Sequence, residues 1–301
     1  PIPFHHGRLG RPFRGLSFVK PNIATTVAEA RKFLKERSEA GGTIGLVPTM
    51  GFLHEGHLSL VRRARSENDT CVVSIFVNPL QFGPSEDFDA YPRDTGRDLD
   101  LLASEGVELV FAPGVKEMFS PDHSTIVSEK KLSGFLCGSA RPGHFDGVCT
   151  IVLKLFNILR PDRAYFGEKD YQQLQVIRRM VRDLDMEVEV IGCPIVREEN
   201  GLALSSRNTY LSEAEREQAI ALSRALAEVR SVFADGERDC RSILAVVRKV
   251  VGSYPMVRLD YAEVRDAEDL SPVERVDRKV VVALAARVGR ARLIDNTVLA
   301  P

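Results

Sequence analysis

No two cysteines of this chain form a CxxC pair, and the five present, Cys71, Cys137, Cys149, Cys193 and Cys240, are odd in number and scattered. That pattern argues against a disulfide framework or a zinc site. It suits a reducing cytoplasm, with the thiols acting as small buried apolar groups. An excess of either charge is also missing: 41 basic and 42 acidic residues leave a formal net charge of -1. A protein whose main partner is nucleic acid or a membrane surface usually carries a basic stripe, so neither partner is expected. No uninterrupted apolar run approaches the roughly 20 residues of a membrane span. Internal repeats and low-complexity segments are absent. The first twenty residues lack acids and lack the apolar stretch of a signal peptide. Residues 1–20 are therefore expected to be a disordered extension, with His5 and His6 in a solvated tail rather than a metal site.

What is present is enough to build a core. Of the 301 residues, 44% are hydrophobic, which suits one large or two modest domains. TIGLVP (43–48), CVVSIFVN (71–78) and VELVFAP (107–113) read as buried strands. HLSLVRRAR and TGRDLDLLASEG (95–106) read as helices, the second with Thr95 as cap and Gly106 at its end. From Val148, apolar residues at 148, 151, 152, 155 and 159 mark one face of a helix. A short strand at 164–166, a helix from Tyr171 and the strand EVEVIGCPIV follow. Apolar strands alternating with helices predict an α/β fold: a Rossmann-like parallel sheet with helices on both faces, over residues 21–195. The pattern then changes. SEAE (212–215) fits a capping box opening a long helix to about Ala234, and a shorter helix runs over about 239–251. VRLDYAEVRD alternates, and two antiparallel strands flank Gly289. Residues 196–301 are thus expected to form a smaller α+β domain, a lid hinged near 192–200.

The stretch PTMGFLHEGHLSL sets His54 and His57 beside Gly51 and Gly56, between the first buried strand and a helix. A helix start offers unpaired N–H groups and a positive dipole end to phosphate. Two fixed imidazoles there can donate to phosphate oxygens as charge moves onto a leaving diphosphate. The histidine spacing is not that of HExxH, so a zincin site is not expected. GxxHxGH is the pattern of the HIGH-motif nucleotidylyltransferases and class I aminoacyl-tRNA synthetases. Two further segments suit phosphate: LSSRN (204–208), with two hydroxyls and the Arg207 fork, and GEKD (167–170), with Lys169. Alone, the first reads as a polar loop and the second as a surface ion pair of Lys169 with Asp170 or Glu168.

PTMGFLHEGH, SIFVNPLQF, YPR, RPGHFDGV, FGEKDYQQ and LSSRN occur in the order found in the pantothenate synthetase (pantoate–β-alanine ligase) family, which the chain resembles over about residues 20–300. The resemblance implies an ATP-dependent condensation of (R)-pantoate with β-alanine through an enzyme-bound pantoyl adenylate. It releases AMP and diphosphate. It implies catalytic roles for His57, His54, Lys169 and Arg207. ATP would be lined by Met50, Gly51, His54, His57, Gly167, Glu168, Lys169, Asp170, Val196, Leu204, Ser205, Ser206 and Arg207. Pantoate would meet Gln81 and Gln173, supported by Asn78, with Val148, Ile151 and Val152 against its gem-dimethyl group. Arg141 and His144 would order the pocket's edge. Mg²⁺ is implied as well, but the family's acidic pair after YPR is here Arg97-Asp98. Asp98 is the one candidate protein contact, and phosphates with water the main ligands. A cytoplasmic homodimer is implied. The alternatives are a nucleotidylyltransferase acting on another small substrate, a non-catalytic nucleotide-binding protein and a tRNA synthetase fragment.

Overall fold

The computed structural model describes residues 20–84 and 86–301. His5, His6 and the rest of the expected extension up to residue 19 lie outside the described residues. Six parallel strands form the first sheet: β1 (Asn22–Ala24), β2 (Ile44–Thr49), β3 (Thr70–Ile75), β4 (Leu109–Phe111), β5 (Arg163–Gly167) and β6 (Glu189–Cys193). Their spatial order is β1-β4-β3-β2-β5-β6. Because side chains alternate along a strand, each strand feeds two cores. Leu46, Val72, Leu109 and Phe166 enter one, and Val47, Val73, Val110 and Tyr165 enter the other. Helices cover both faces, so these strands read as unbroken apolar runs rather than as alternation.

From β2 the chain steps outward to β3 and β4, whereas β5 and β6 lie on the other side of β2. The strand order therefore reverses between β2 and β5. Loops leaving the carboxyl ends of those two strands diverge and leave a crevice, the usual ligand site of open α/β sheets. The histidine motif follows β2 and the lysine turn follows β5.

Beyond β6 lies a three-stranded antiparallel sheet of β7 (Val257–Asp266), β8 (Val280–Val288) and β9 (Ala291–Leu299). Its apolar face takes the helices Ala221–Ala234 and Cys240–Gly252. The middle strand is buried on both sides. Val280, Val282, Leu284 and Ala286 join this second core, while Val281 and Ala283 pack into the core of the first domain. That double burial explains the uninterrupted KVVVALAA and docks the two domains together.

Local chemistry shifts several expected boundaries. The helix after YPR is Thr95–Ser104, and its cap is Asp94, whose carboxylate accepts the Arg97 N–H at 3.1 Å, rather than Thr95. The helix opened by the Ser212–Glu215 capping box runs Glu213–Ala219 and breaks at Ile220 before Ala221–Ala234. β3 stops at Ile75 because the Asn78 side chain turns the chain, accepting from Leu80 N–H at 3.3 Å. The helix expected from Val148 begins at His144. β1 and the helix Val27–Glu39 were not read from the sequence, although Thr26 and Glu29 form a reciprocal capping box.

Candidate active site

The turn after β2 is built by backbone accounting. Thr49 Oγ1 donates to the Ser74 carbonyl (2.7 Å) and accepts the Gly51 N–H (3.2 Å). Gly51 has φ +82°, which a Cβ would strain. The Asp98 carboxylate, 1% exposed, accepts the N–H groups of Phe52 and Leu53, each at 2.7 Å. Two charge-assisted bonds thus fix the chain just before the histidines.

His54 then caps the helix Glu55–Glu67. Its main-chain N–H donates to His57 Nδ1 at 3.3 Å. Nδ1 is therefore the acceptor nitrogen, and the proton of a neutral His57 sits on Nε2, free to donate to a ligand. The two rings lie 4.0 Å apart between centroids. Burial, then the neighbouring His54 and Lys169, drive His57 well below the usual imidazole value. Burial and Lys169 lower His54 to about 4. Both rings are thus neutral hydrogen-bond donors near pH 7. Gly56 lies under the His54 ring: a Cβ there would stand 2.9–3.0 Å from Cε1 and Nδ1.

After β5, the turn Glu168–Asp170 carries Lys169. Its Nζ is 3.6 Å from Asp170 Oδ2, yet the lysine side chain is only 19% exposed. The ion pair read from the sequence exists, but the lysine faces inward. The third segment is a tight return in which Leu204 N–H bonds to the Val196 carbonyl at 3.0 Å. It brings Ser206 Oγ within 3.3 Å of the Phe52 carbonyl, so LSSRN sits against the histidine turn 154 residues earlier. Arg207 is held side-on by Asp87.

A polar wall is assembled around Gln81. Buried Asn78 donates to Gln81 Oε1 (3.1 Å) and to the Gly147 carbonyl (3.0 Å), while Gln81 Nε2 meets Met50 Sδ at 3.2 Å. Gly147 lets the helix His144–Leu159 approach: a Cβ would fall 2.3–2.6 Å from main-chain atoms of Leu80 and Gln81. His144 Nδ1 donates to the Gln81 carbonyl (2.8 Å), which leaves Nε2 to accept from Arg141 (2.9 Å). Burial and Arg141 lower His144 to about 4. Glu86 holds Arg141 through two bonds of 2.6 Å. Burial would raise Glu86, but the Arg141 bonds and charge outweigh it and hold the carboxyl at about 2.

These parts surround one cavity of about 240 Å³. Met50, His54 and His57 line it from β2, and Gly167, Lys169 and Asp170 from β5. Val196, Leu204, Ser205, Ser206 and Arg207 close it from the domain junction. Asn78, Gln81 and Gln173 add amides, and Val148, Ile151 and Val152 an apolar face. Gly51, Glu168 and Asp98 are not in its walls; Gly51 and Asp98 shape the turn behind it. Sequence reasoning did not single out Phe76, Tyr91, Leu60 and Pro194, which also line it. All four lay in quoted stretches, Phe76 in SIFVNPLQF, Tyr91 in YPR, Leu60 at the end of PTMGFLHEGHLSL and Pro194 in EVEVIGCPIV, but none was given a role there. A larger cavity of about 460 Å³ between the domains shares Arg141, His144, Lys169, Asp170, Gln173, Ser205 and Arg207 with it. Among the described residues, no group of three or more His, Cys, Asp or Glu side chains could hold a metal. Asp170 is the one carboxylate among the residues lining the smaller cavity.

The family model of pantoate-beta-alanine ligase matches residues 22–298. A curated relative, the pantothenate synthetase of Thermotoga petrophila, is 60% identical over 277 residues, covering 92% of this chain and 99% of the relative. A crystal structure of pantothenate synthetase from Thermus thermophilus superposes with a TM-score of 0.89 at 49% identity, covering 93% of this chain and all of that one. The pantoate-beta-alanine ligase of Francisella tularensis, solved with beta-gamma ATP and beta-alanine, gives a TM-score of 0.74 at 35% identity, with 92% and 97% of the two chains covered.

Proposed function

The chain belongs to the pantoate–β-alanine ligase family, and on that premise we propose how its own residues join pantoate to β-alanine at the expense of ATP. In the first step a pantoate carboxylate oxygen attacks the α-phosphorus, the bond to the β-phosphate oxygen breaks, and diphosphate leaves. In the second the β-alanine amine attacks the acyl carbon of pantoyl adenylate, AMP departs with the carboxylate oxygen, and the amine loses its proton. A carboxylate is a poor acyl donor, and adenylation supplies the leaving group. The protein's task is to position reactants and stabilise developing charge.

His57 donates Nε2–H, and His54 its ring N–H, to the phosphates at the start of a helix. Lys169 and Arg207 counter the charge of the departing diphosphate, helped by the hydroxyls of Ser205 and Ser206. Met50, Gly167, Asp170, Val196 and Leu204 complete the nucleotide's surroundings through backbone and packing, with Gly51 shaping the turn behind them and Glu168 opening the lysine turn. Gln81 and Gln173 read the hydroxyls and carboxylate of pantoate, with Asn78 orienting Gln81. Val148, Ile151 and Val152, all buried, meet its gem-dimethyl group. The residues present do not make a protein cage for Mg²⁺, because both Asp98 oxygens accept main-chain N–H groups and Asp170 is tied to Lys169. The cation arrives with ATP, coordinated by phosphate oxygens and water. A cytoplasmic homodimer completes the proposal. No helix of the described residues is long and apolar enough to cross a membrane.

One observation carries this reading: segments around residues 54–57, 169 and 205–207, far apart in sequence, meet at one cavity that also holds Gln81, Gln173 and an apolar helix face. The test is pantoate-dependent exchange of labelled diphosphate into ATP, together with formation of AMP and pantothenate. His57→Ala, Lys169→Ala and Arg207→Ala should each lower exchange by about 10²–10³-fold, as removal of a transition-state donor does, with the fold intact. Exchange at the wild-type rate in all three would remove the site assignment.

A further inference from the structure

Both arginines that line the 240 Å³ cavity, Arg141 and Arg207, are held by adjacent carboxylates of one short segment, Glu86 and Asp87. The second pair bears on the chemistry. Arg207 Nε donates to Asp87 Oδ2 at 3.0 Å, and Nη2 donates to Asp87 Oδ1 at 2.8 Å. This is a side-on bidentate pair. It occupies the Nε edge of the guanidinium and leaves the Nη1–Nη2 edge for a ligand. No described residue accepts from Nη1. Around the pair, the Tyr91 ring centroid lies 5.8 Å from Arg207 Cζ. Tyr210 OH lies 3.3 Å from Asp87 Oδ2 and 3.1 Å from the Ala90 carbonyl. The carboxylate is thus anchored by its own neighbours, and the plane of the guanidinium is set before any ligand arrives.

We propose that Asp87 is a positioning residue for the adenylation step: through its side-on pair it aims the free edge of Arg207 at the nucleotide phosphates. This rests on the reading of Arg207 as a phosphate donor. A long arginine side chain left to itself would sample many rotamers, and ATP would have to order it. Asp87 meets that cost in the folded state. Its own charge is largely spent on Nε and Nη2, so the triphosphate meets an arginine that is fixed and still has donors to offer. Asn at this position would keep the volume of Asp but turn an NH₂ toward a guanidinium donor, and one of the two bonds would be lost.

The experiment is a double-mutant cycle between Asp87→Ala and Arg207→Ala in the pantoate-dependent exchange assay, read as kcat and the KM for ATP and for pantoate separately. D87A should lose about 10- to 100-fold in kcat/KM for ATP, the scale of misplacing a catalytic group, with the KM for pantoate unmoved. D87N should behave like D87A, and D87E should recover part of the loss. In the R207A background, D87A should cost nothing further, because its only route to the phosphates is gone. Additive losses would overturn the proposal, since Asp87 would then act elsewhere. A lower KM for ATP in D87A would also overturn it, making Asp87 a competitor of the phosphates. If R207A impairs ATP use while D87A and D87N do not, the positioning role alone fails. If R207A leaves ATP use unchanged, the reading of Arg207 fails first. Thermal melting checks that the variants are folded, and D87N carries the comparison where D87A melts early.

Discussion

Asn296, on the last strand of the second domain, holds the carbonyl of Lys169 on the first: its Nδ2 donates to the Lys169 and Glu168 carbonyls, each at 2.9 Å. The side chain is buried, and Asp295 beside it makes a bidentate pair with Arg197 at 2.7 and 2.9 Å. Two consecutive residues of β9 thus grip the lysine turn and the return that carries LSSRN. Domain docking and the placement of the Lys169 turn and of LSSRN are one event. Asn296→Ala should raise the KM for ATP and slow exchange about 10-fold or more, and lower stability by about 1–3 kcal/mol through two unpaired carbonyls. Asn296→Asp, which sets a carboxylate against those carbonyls, should be worse. Steady-state kinetics and denaturant unfolding measure both, and a wild-type-like N296D would contradict the account.

The neutral histidines give a pH signature. His54 and His144 titrate at about 4 in the folded chain, and His57 well below its ordinary 6.5. Between about 4 and 6.5 the unfolded chain binds protons that the folded chain refuses. Stability is therefore fully present above pH 6.5 and falls as pH drops through that window. Melting temperature should decline from pH 6.5 toward 4.5, and His144→Gln should flatten part of the slope. The exchange rate should show no imidazole step between pH 6 and 8. A step near 6.5 that disappears in His57→Gln would mean that the ring titrates normally.

Two glycines act by close approach. Gly56→Ala would press a methyl into the His54 ring, and Gly147→Ala would press one into main-chain atoms of Leu80 and Gln81. The ring can shift, whereas the backbone cannot do so without moving the turn. G56A should therefore impair ATP use while melting near wild type. G147A should raise the KM for pantoate and lose about 1–3 kcal/mol, the cost of overpacking. Equal effects of both on ATP and pantoate would undo this division of the cavity.

Asp98 separates a structural from a metal role. Asp98→Ala leaves the Phe52 and Leu53 N–H groups without their acceptor, at about 1–3 kcal/mol for each group left buried and unpaired. The histidine turn loosens with it. Exchange should fall while its midpoint in Mg²⁺ concentration stays where it was. A midpoint shifted to much higher Mg²⁺ would return Asp98 to the metal.

Much of this was legible in the residue order, because it follows from local rules. Buried parallel strands read as apolar runs, so β2, β3, β4 and β5 were found. The helix from Tyr171 and the antiparallel pair around Gly289 follow from periodicity and a turn residue. The histidines stood out by their place at a strand-to-helix junction, whereas Lys169 and Arg207 gained weight only from the order of motifs shared with the family. Boundaries slipped where a side chain one residue away took a backbone bond, as Asp94 did from Thr95.

The sequence by itself determined most of the elements and marked the segments proposed to meet phosphate, since helix caps, strand alternation and motif spacing act within a few residues. It was silent on Asp87, Glu86 and Asn296, whose neighbours along the chain give no hint of their partners. Only the tertiary structure decided that Asp87 faces an arginine 120 residues away and that Asn296 grips a turn from the other domain. Such pairs depend on how whole elements pack, and packing is set by the summed burial of both domains rather than by any local pattern.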